Sequence, residues 1–232
     1  MKECLVVDLG RIGYAEASAL QRALVAARKT DAVPDVLLLC EHPHVITLGR
    51  NGKREHLLAS EHLLQQMGVE FCETDRGGDI TYHGPGQIVG YPIVKLSEIR
   101  RDVGWYVRQL EEVMIRTTAE FGVTPERLQG KTGIWVQVAG AGEEKLGAIG
   151  VHLSRWVTSH GFAYNVSTDL SYFDLIVPCG LNGRRATSLE KLLGRAVERE
   201  GVASQMAGHF GDLFDLKMHA ATREQIEQSH GA

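Results

Sequence analysis

The run Val36-Leu37-Leu38-Leu39-Cys40 contains no polar position, whereas apolar residues elsewhere mostly recur every three or four places. Such an unbroken run predicts a strand buried on both faces. Val45-Ile46-Thr47-Leu48 follows a short polar break and reads as its hairpin partner. Upstream, Cys4–Leu9 reads as a first strand, and Tyr14–Lys29 carries Leu20, Ala23, Leu24 and Ala27 at helical spacing. Ser60 predicts the cap of a short helix through Met67 with Gly68 as its stop, and Val69–Thr74 a further strand. Leu110, Val113, Met114, Thr117 and Phe121 share one face of a helix over Val103–Phe121, capped by Asp102 and stopped by Gly122. Three strands come next, Gly133–Val138, Lys145–Ser154 and His160–Val166, the first two joined by an Ala139-Gly140-Ala141-Gly142 turn. Thr187-Ser188-Leu189-Glu190 fits a capping box, and Val202, Met206, Phe210, Leu213 and Phe214 form the face of a last helix. The polar tail after Met218 predicts fraying.

Runs of strands separated by turns, with helices between the groups, predict an α+β fold with mixed or antiparallel sheets flanked by helices. The regular alternation of a doubly wound fold is absent. No repeat, low-complexity segment or linker divides the 232 residues, which predicts a single domain over 1–232.

One stretch breaks the periodicity. Arg76–Pro92 holds five glycines and two prolines among its seventeen residues, yet also Ile80, Tyr82, Ile88, Val89 and Tyr91. Glycine marks backbone that needs positive φ or a close approach, and proline fixes φ. Two short strands near Asp79–His83 and Gln87–Pro92, joined by a tight Gly84-Pro85-Gly86 turn, would make a shaped wall. Arg76, Thr81, His83 and Gln87 would supply its polar groups.

Composition narrows the partners. A formal charge of −4, without a stripe of Lys and Arg among aromatics, argues against nucleic acid. No apolar run reaches the ~20 residues of a membrane span, and Met1-Lys2-Glu3-Cys4 does not open a signal peptide. Cys4, Cys40, Cys72 and Cys179 show no close pairing, which suggests reduced thiols and a cytoplasmic protein. Neither G-x-x-x-x-G-K-[ST] nor G-x-G-x-x-G before a helix is present, so Gly77-Gly78 is not a nucleotide loop.

Among reactive residues, Cys179 ends an apolar run in Pro178-Cys179-Gly180, a bend that would present a thiol. A nearby cation would make it a nucleophile, while the plainer reading is a small buried residue. Lys145 opens Lys145-Leu146-Gly147-Ala148-Ile149-Gly150, where small residues leave room beside the strand. It could lower a thiol pKa or, if desolvated, take a proton from an amine, or it could be a solvated hairpin lysine beside Glu143 and Glu144. His83, set among glycines, is either an acid–base group or a positioning ring. His42-Pro43-His44 lacks a second ligand pair at a recognised spacing, so a structural role is expected and no metal.

Several blocks, taken in order, resemble one family. They are Arg76-Gly77-Gly78-x-x-Thr81-Tyr82-His83-Gly84-Pro85-Gly86-Gln87, Lys145-x-x-Ala148-Ile149-Gly150, Ser154-Arg155-Trp156-Val157-Thr158-x-His160-Gly161-Phe162-Ala163-x-Asn165 and Ile176-Val177-Pro178-Cys179-Gly180. With His42-Pro43 and Thr47-x-Gly49-Arg50 they are similar to the octanoyltransferases. The resemblance implies the fold of biotin and lipoate protein ligases. It also implies transfer of an octanoyl group from octanoyl-acyl carrier protein to a lysine of lipoyl domains. The acceptors would be the lipoyl domains of 2-oxoacid dehydrogenases and the glycine-cleavage H protein. On the matching positions Cys179 would be the acyl-thioester nucleophile and Lys145 the residue that lowers its pKa. Arg76, Gly77, Gly78, Asp79, Ile80, Thr81, Tyr82 and His83 would line the acyl pocket, with Ala148, Ile149 and Gly150 and with Gly161, Phe162 and Ala163. No cofactor is implied, since moving an acyl group from thiol to thiol is nearly isoenergetic and moving it onto an amine is downhill.

Three other readings stay open at this level. An ATP-dependent lipoate or biotin protein ligase would share the fold. A thiol hydrolase would use Cys179 with His83. A non-catalytic module that binds acyl carrier would hold an inert cysteine.

Overall fold

The computed structural model describes residues 1–177 and 185–230. In chain order the elements are β1 (Lys2–Arg11), α1 (Tyr14–Lys29), β2 (Asp35–Glu41), β3 (Val45–Leu48), α2 (Glu61–Gln66), β4 (Glu70–Glu73), β5 (Ile80–His83) and β6 (Gln87–Ile93). Then come α3 (Val103–Ala119), β7 (Glu126–Leu128), β8 (Lys131–Val138), β9 (Gly142–Ser154), β10 (Val157–Asn165), α4 (Leu189–Leu193), α5 (Arg199–Phe214), β11 (Leu216–Ala220) and α6 (Arg223–His230). Among the described residues no helix is long and apolar enough to cross a membrane.

Eight strands form the main sheet in the order β11-β1-β2-β6-β10-β9-β8-β7, and β4-β3-β5 form a smaller one. β1 pairs in parallel with both β2 and β11, and β2, β6, β10, β9, β8 and β7 follow as an antiparallel series. This is the expected α+β architecture with a mixed sheet. The unbroken apolar run of β2 has the expected cause. Leu37 and Leu39 join a core with α3 and α5, while Val36, Leu38 and Cys40 join a second core with α1 and α6. Local caps act as the sequence suggests at two helices. Ser60 accepts from the Leu63 amide and Asp102 from the Trp105 amide.

Three expectations need correction. β3 does not pair with β2. It lies in the small sheet between β4 and β5, because its apolar side chains belong to a third core under α2. β5 and β6 are joined by the Gly84-Pro85-Gly86 turn as expected, and that turn carries the chain from the small sheet to the large one. Ser188, not Thr187, caps α4 through the Lys191 amide, and Glu190 accepts from the Val197 amide instead of closing a capping box. The tail past Met218 is folded as far as residue 230. β11 pairs with β1 over Lys2–Val6, and Ile226 of α6 is buried against the α1 side of the sheet.

Candidate active site

Segments far apart in sequence border one cavity of about 530 Å3, within the ~300–1,000 Å3 usual for small-molecule sites. Arg76, Gly77, Gly78, Asp79, Ile80, Thr81 and His83 form one wall. Ala148, Ile149 and Gly150 of β9, with Gly161, Phe162 and Ala163 of β10, form another. Lys145, Trp135, Arg185 and Ala186 border it as well, and the lining is mostly apolar. Tyr82 stands apart from this set. Alternation along β5 turns its side chain into the small-sheet core, where its hydroxyl meets His44 Nδ1 at 2.8 Å and its ring stacks on Tyr172.

Arg76 is buried and grips the small sheet. Its Nη2 donates to the Thr47 carbonyl at 2.7 Å and to Thr47 Oγ1 at 2.9 Å, and its Nη1 donates to the Gly77 carbonyl at 3.1 Å. The glycines beside it serve a close approach, and what approaches is backbone. A Cβ at Gly150 would sit 2.7 Å from the Gly77 carbonyl, and one at Gly161 would sit 2.1 Å from the Gly90 carbonyl. The space over these positions is filled by the protein's own backbone. The glycines let wall and strands close on each other, and the cavity lies beside that contact.

His83 is buried, and burial pushes its pKa down to about 3, with His42 nearby adding to the shift. It is therefore neutral near pH 7 and does not serve as an acid there. Its Nδ1 meets Gln87 Oε1 at 2.7 Å. Gln87 Nε2 donates to Asn165 Oδ1 at 2.9 Å, and Asn165 Nδ2 donates to the Thr187 carbonyl at 2.9 Å. A backbone carbonyl only accepts, so the last bond fixes the orientation of both amides and leaves the proton on His83 Nδ1. The relay ties the glycine-rich wall to the segment that follows residue 184. Of the two readings for His83, the positioning one fits these bonds.

Lys145 is half-buried in β9. Its backbone amide donates to the Arg185 carbonyl and its carbonyl accepts from the Thr187 amide, both at 2.9 Å. Its Nζ lies over the indole of Trp135, 4.6 Å from the ring centroid. Glu144 points elsewhere, since its buried carboxylate accepts from Lys191 Nζ at 2.8 Å. The solvated hairpin lysine is thus not what the fold builds here. Cys179 lies outside the described residues. The chain leads to it from Val177, whose amide donates to the His56 carbonyl at 2.8 Å, and resumes at Arg185 on the cavity border.

The other thiols are poor nucleophiles. Burial pushes Cys4 and Cys40 far up, and burial with the Glu70 carboxylate pushes Cys72 up to about 12. His42 and His44 are engaged separately: His42 Nδ1 donates to the Ile12 carbonyl at 2.7 Å and its Nε2 meets the Tyr91 hydroxyl at 2.8 Å. No group of three or more His, Cys, Asp or Glu suited to a metal occurs among the described residues. Trp135 is one of the site residues that sequence reasoning missed, with Arg185 and Ala186. The Ala139–Gly142 turn was a usable signal, because counting back from it along both strands sets Trp135 opposite Lys145.

Comparisons with known proteins agree with this geometry. Residues 13–211 match the lipoyl protein ligase A/B catalytic domain. An octanoyltransferase from Solibacter usitatus is 54% identical over 218 residues, covering 94% of this chain and 96% of that protein. One from Caldicellulosiruptor saccharolyticus is 46% identical over 225 residues, covering 96% and 94%. Among solved structures, the bipartite lipoate protein ligase of Thermoplasma acidophilum superposes with a TM-score of 0.76 at 14% identity, covering 99% of this chain and 91% of that one. A lipoate-protein ligase A bound with ATP gives 0.72 at 14% identity, covering 99% and 93%. A biotin protein ligase from Aquifex aeolicus gives 0.52 at 13%, covering 99% and 74%. These three likenesses speak for the fold.

Proposed function

The chain belongs to the octanoyltransferases, acyltransferases built on the lipoyl protein ligase A/B catalytic domain, and on that premise we propose a two-step transfer through Cys179 and Lys145. In the first step the Cys179 thiolate attacks the thioester carbonyl of octanoyl-acyl carrier protein. A new C–S bond forms, the donor C–S bond breaks, and the carrier leaves as a thiolate that takes up a proton from water. Lys145, no longer facing a thiolate, gives a proton up to water. In the second step the ε-amine of a lysine on a lipoyl domain attacks the octanoyl-Cys179 carbonyl. A C–N bond forms, the C–S bond breaks, Cys179 departs as thiolate, and the amine proton passes to Lys145 in its neutral form. The lipoyl domains of 2-oxoacid dehydrogenases and the glycine-cleavage H protein are the acceptors.

One observation carries the pairing of these residues. The backbone of Lys145 is clamped through its amide and its carbonyl to residues 185–187, the first described stretch beyond Cys179, and Lys145, Arg185 and Ala186 border the cavity. A cation there favours the thiolate over the thiol, which is how a cysteine becomes reactive near neutral pH. The acyl chain lies in the cavity, along Arg76–Thr81 and His83, Ala148–Gly150 and Gly161–Ala163. Each methylene buried there stabilises by about 0.8 kcal/mol, so depth selects chain length. His83 remains neutral and holds the wall.

The test separates this reading from a ligase. Octanoyl-acyl carrier protein and an isolated lipoyl domain are mixed with the protein, with and without ATP. Transfer proceeds equally in both, and the product lysine gains one octanoyl group. Transfer from free octanoate that requires ATP would instead make the protein a ligase.

A further inference from the structure

Lys145 is paired across the β8–β9 hairpin with Trp135, next to a strand irregularity. β8 and β9 pair Ile134 with Gly147 but Trp135 with Lys145, so the register shifts by one residue at Leu146. Counting from the turn sets Lys145 opposite Trp135, whereas counting from the Ile134–Gly147 pair would set Leu146 there; the extra residue falls just beyond the Trp135–Lys145 pair. The kink is supported from α3. Gly133, at φ +104, gives its amide to the buried Glu111 Oε1 at 3.0 Å, and Glu111 Oε2 is held by Arg127 Nε at 3.0 Å. Trp135 is 1% exposed, so its indole cannot follow Lys145 if the lysine moves.

The face of an indole attracts an ammonium and has no such attraction for a neutral amine. Other charges bear on the same lysine. Lys131 lies over the same indole, 5.8 Å from the centroid, and Arg185 borders the cavity, so both disfavour a further positive charge. Glu143 stands two residues away on the same strand, and Glu144 is held by Lys191. Among the described contacts, the ring is a group that the strand pairing sets directly against the Lys145 head.

We propose that Trp135 is the positioning residue for Lys145, its indole face holding the ammonium at the cavity so that it stands ready for the thiol step. This rests on the reading of Lys145 given above. A ring kept only for packing would be replaceable by an aliphatic side chain without consequence for the thiol.

The test uses the full chain with Trp135→Phe, Trp135→Leu and Lys145→Met. In protein carrying 13C-lysine, the Lys145 ε-methylene resonance is displaced upfield by the ring, keeps a displacement in Trp135→Phe, and loses it in Trp135→Leu. Trp135→Leu lowers kcat on the order of ten-fold, the scale of a desolvated cation–π contact, with KM for the acyl donor unchanged. It also moves the pH profile of Cys179 alkylation upward, and Trp135→Phe recovers most of both effects. An undisplaced Lys145 resonance in the wild type, or a Trp135→Leu protein with wild-type kcat and alkylation profile, overturns the proposal while leaving Lys145 its role. If Lys145→Met alkylates and transfers as wild type does, the reading of Lys145 falls and this one with it. Should Trp135→Leu fail to fold, the wild-type resonance and the kinetics of Trp135→Phe decide.

Discussion

Lys145→Met slows octanoyl transfer by about a hundred-fold or more, the range in which a positioned proton-transfer group contributes. The side chain keeps nearly the same length and loses the charge, so the half-buried site is filled but carries no cation. Iodoacetamide alkylation of Cys179 in this variant reaches half its maximum rate at higher pH, since removing a nearby cation raises a thiol pKa. Lys145→Arg separates the two duties. Arginine stays protonated, so alkylation and acyl-enzyme formation persist while transfer to the acceptor amine fails for want of a base. Stopped-flow measurement of the first step and steady-state measurement of the whole reaction check the split. A Lys145→Arg protein that completes transfer at the wild-type rate would remove the base role.

Gly161→Ala destabilises the protein by about 3 kcal/mol, at the upper end of overpacking costs. Its Cβ would lie 2.1 Å from the Gly90 carbonyl and 2.6 Å from Pro92 Cδ, so β6 and β10 must separate. At the 2–4 °C per kcal/mol usual for chains of this size, Tm falls by about 6–12 °C. Gly208→Ala is the control. Gly208 lies in α5 with nothing within 4 Å of a would-be Cβ, and alanine in a helix gains about 0.5–1 kcal/mol over glycine. Differential scanning calorimetry of the pair checks the argument. Equal melting of Gly161→Ala and wild type would mean that the strands do not meet at Gly161.

What could be read from the sequence follows the range of each signal. α1 and the start of α3 stand where the apolar stripes set them, because a stripe and a cap are local. β2 was legible for the same reason, and its burial on both faces followed from composition alone. Pairing partners were not. Nothing within Val45–Leu48 says that it meets Glu70–Glu73 and Ile80–His83 instead of β2, since period-two alternation gives a face but no neighbour. β11 and α6 escaped notice because few buried positions, Leu216 and Ile226 among them, hold them. Most of the pocket was legible as a family pattern, and Tyr82 was the exception because its strand turns it away. A close approach at the glycines was legible, but not its partner: the fold sets backbone carbonyls over Gly150 and Gly161. Trp135 could have been found by counting from a turn, but its proximity to the Lys145 head could not.

The central claim is a covalent acyl-enzyme on Cys179, and mass spectrometry of the loaded protein tests it most directly. The full chain is incubated with octanoyl-acyl carrier protein and no acceptor, then digested. The account predicts one added octanoyl group, on the peptide that holds Cys179, removed by hydroxylamine and discharged when a lipoyl domain is added. An unmodified Cys179 peptide from a protein that still transfers octanoate would contradict it.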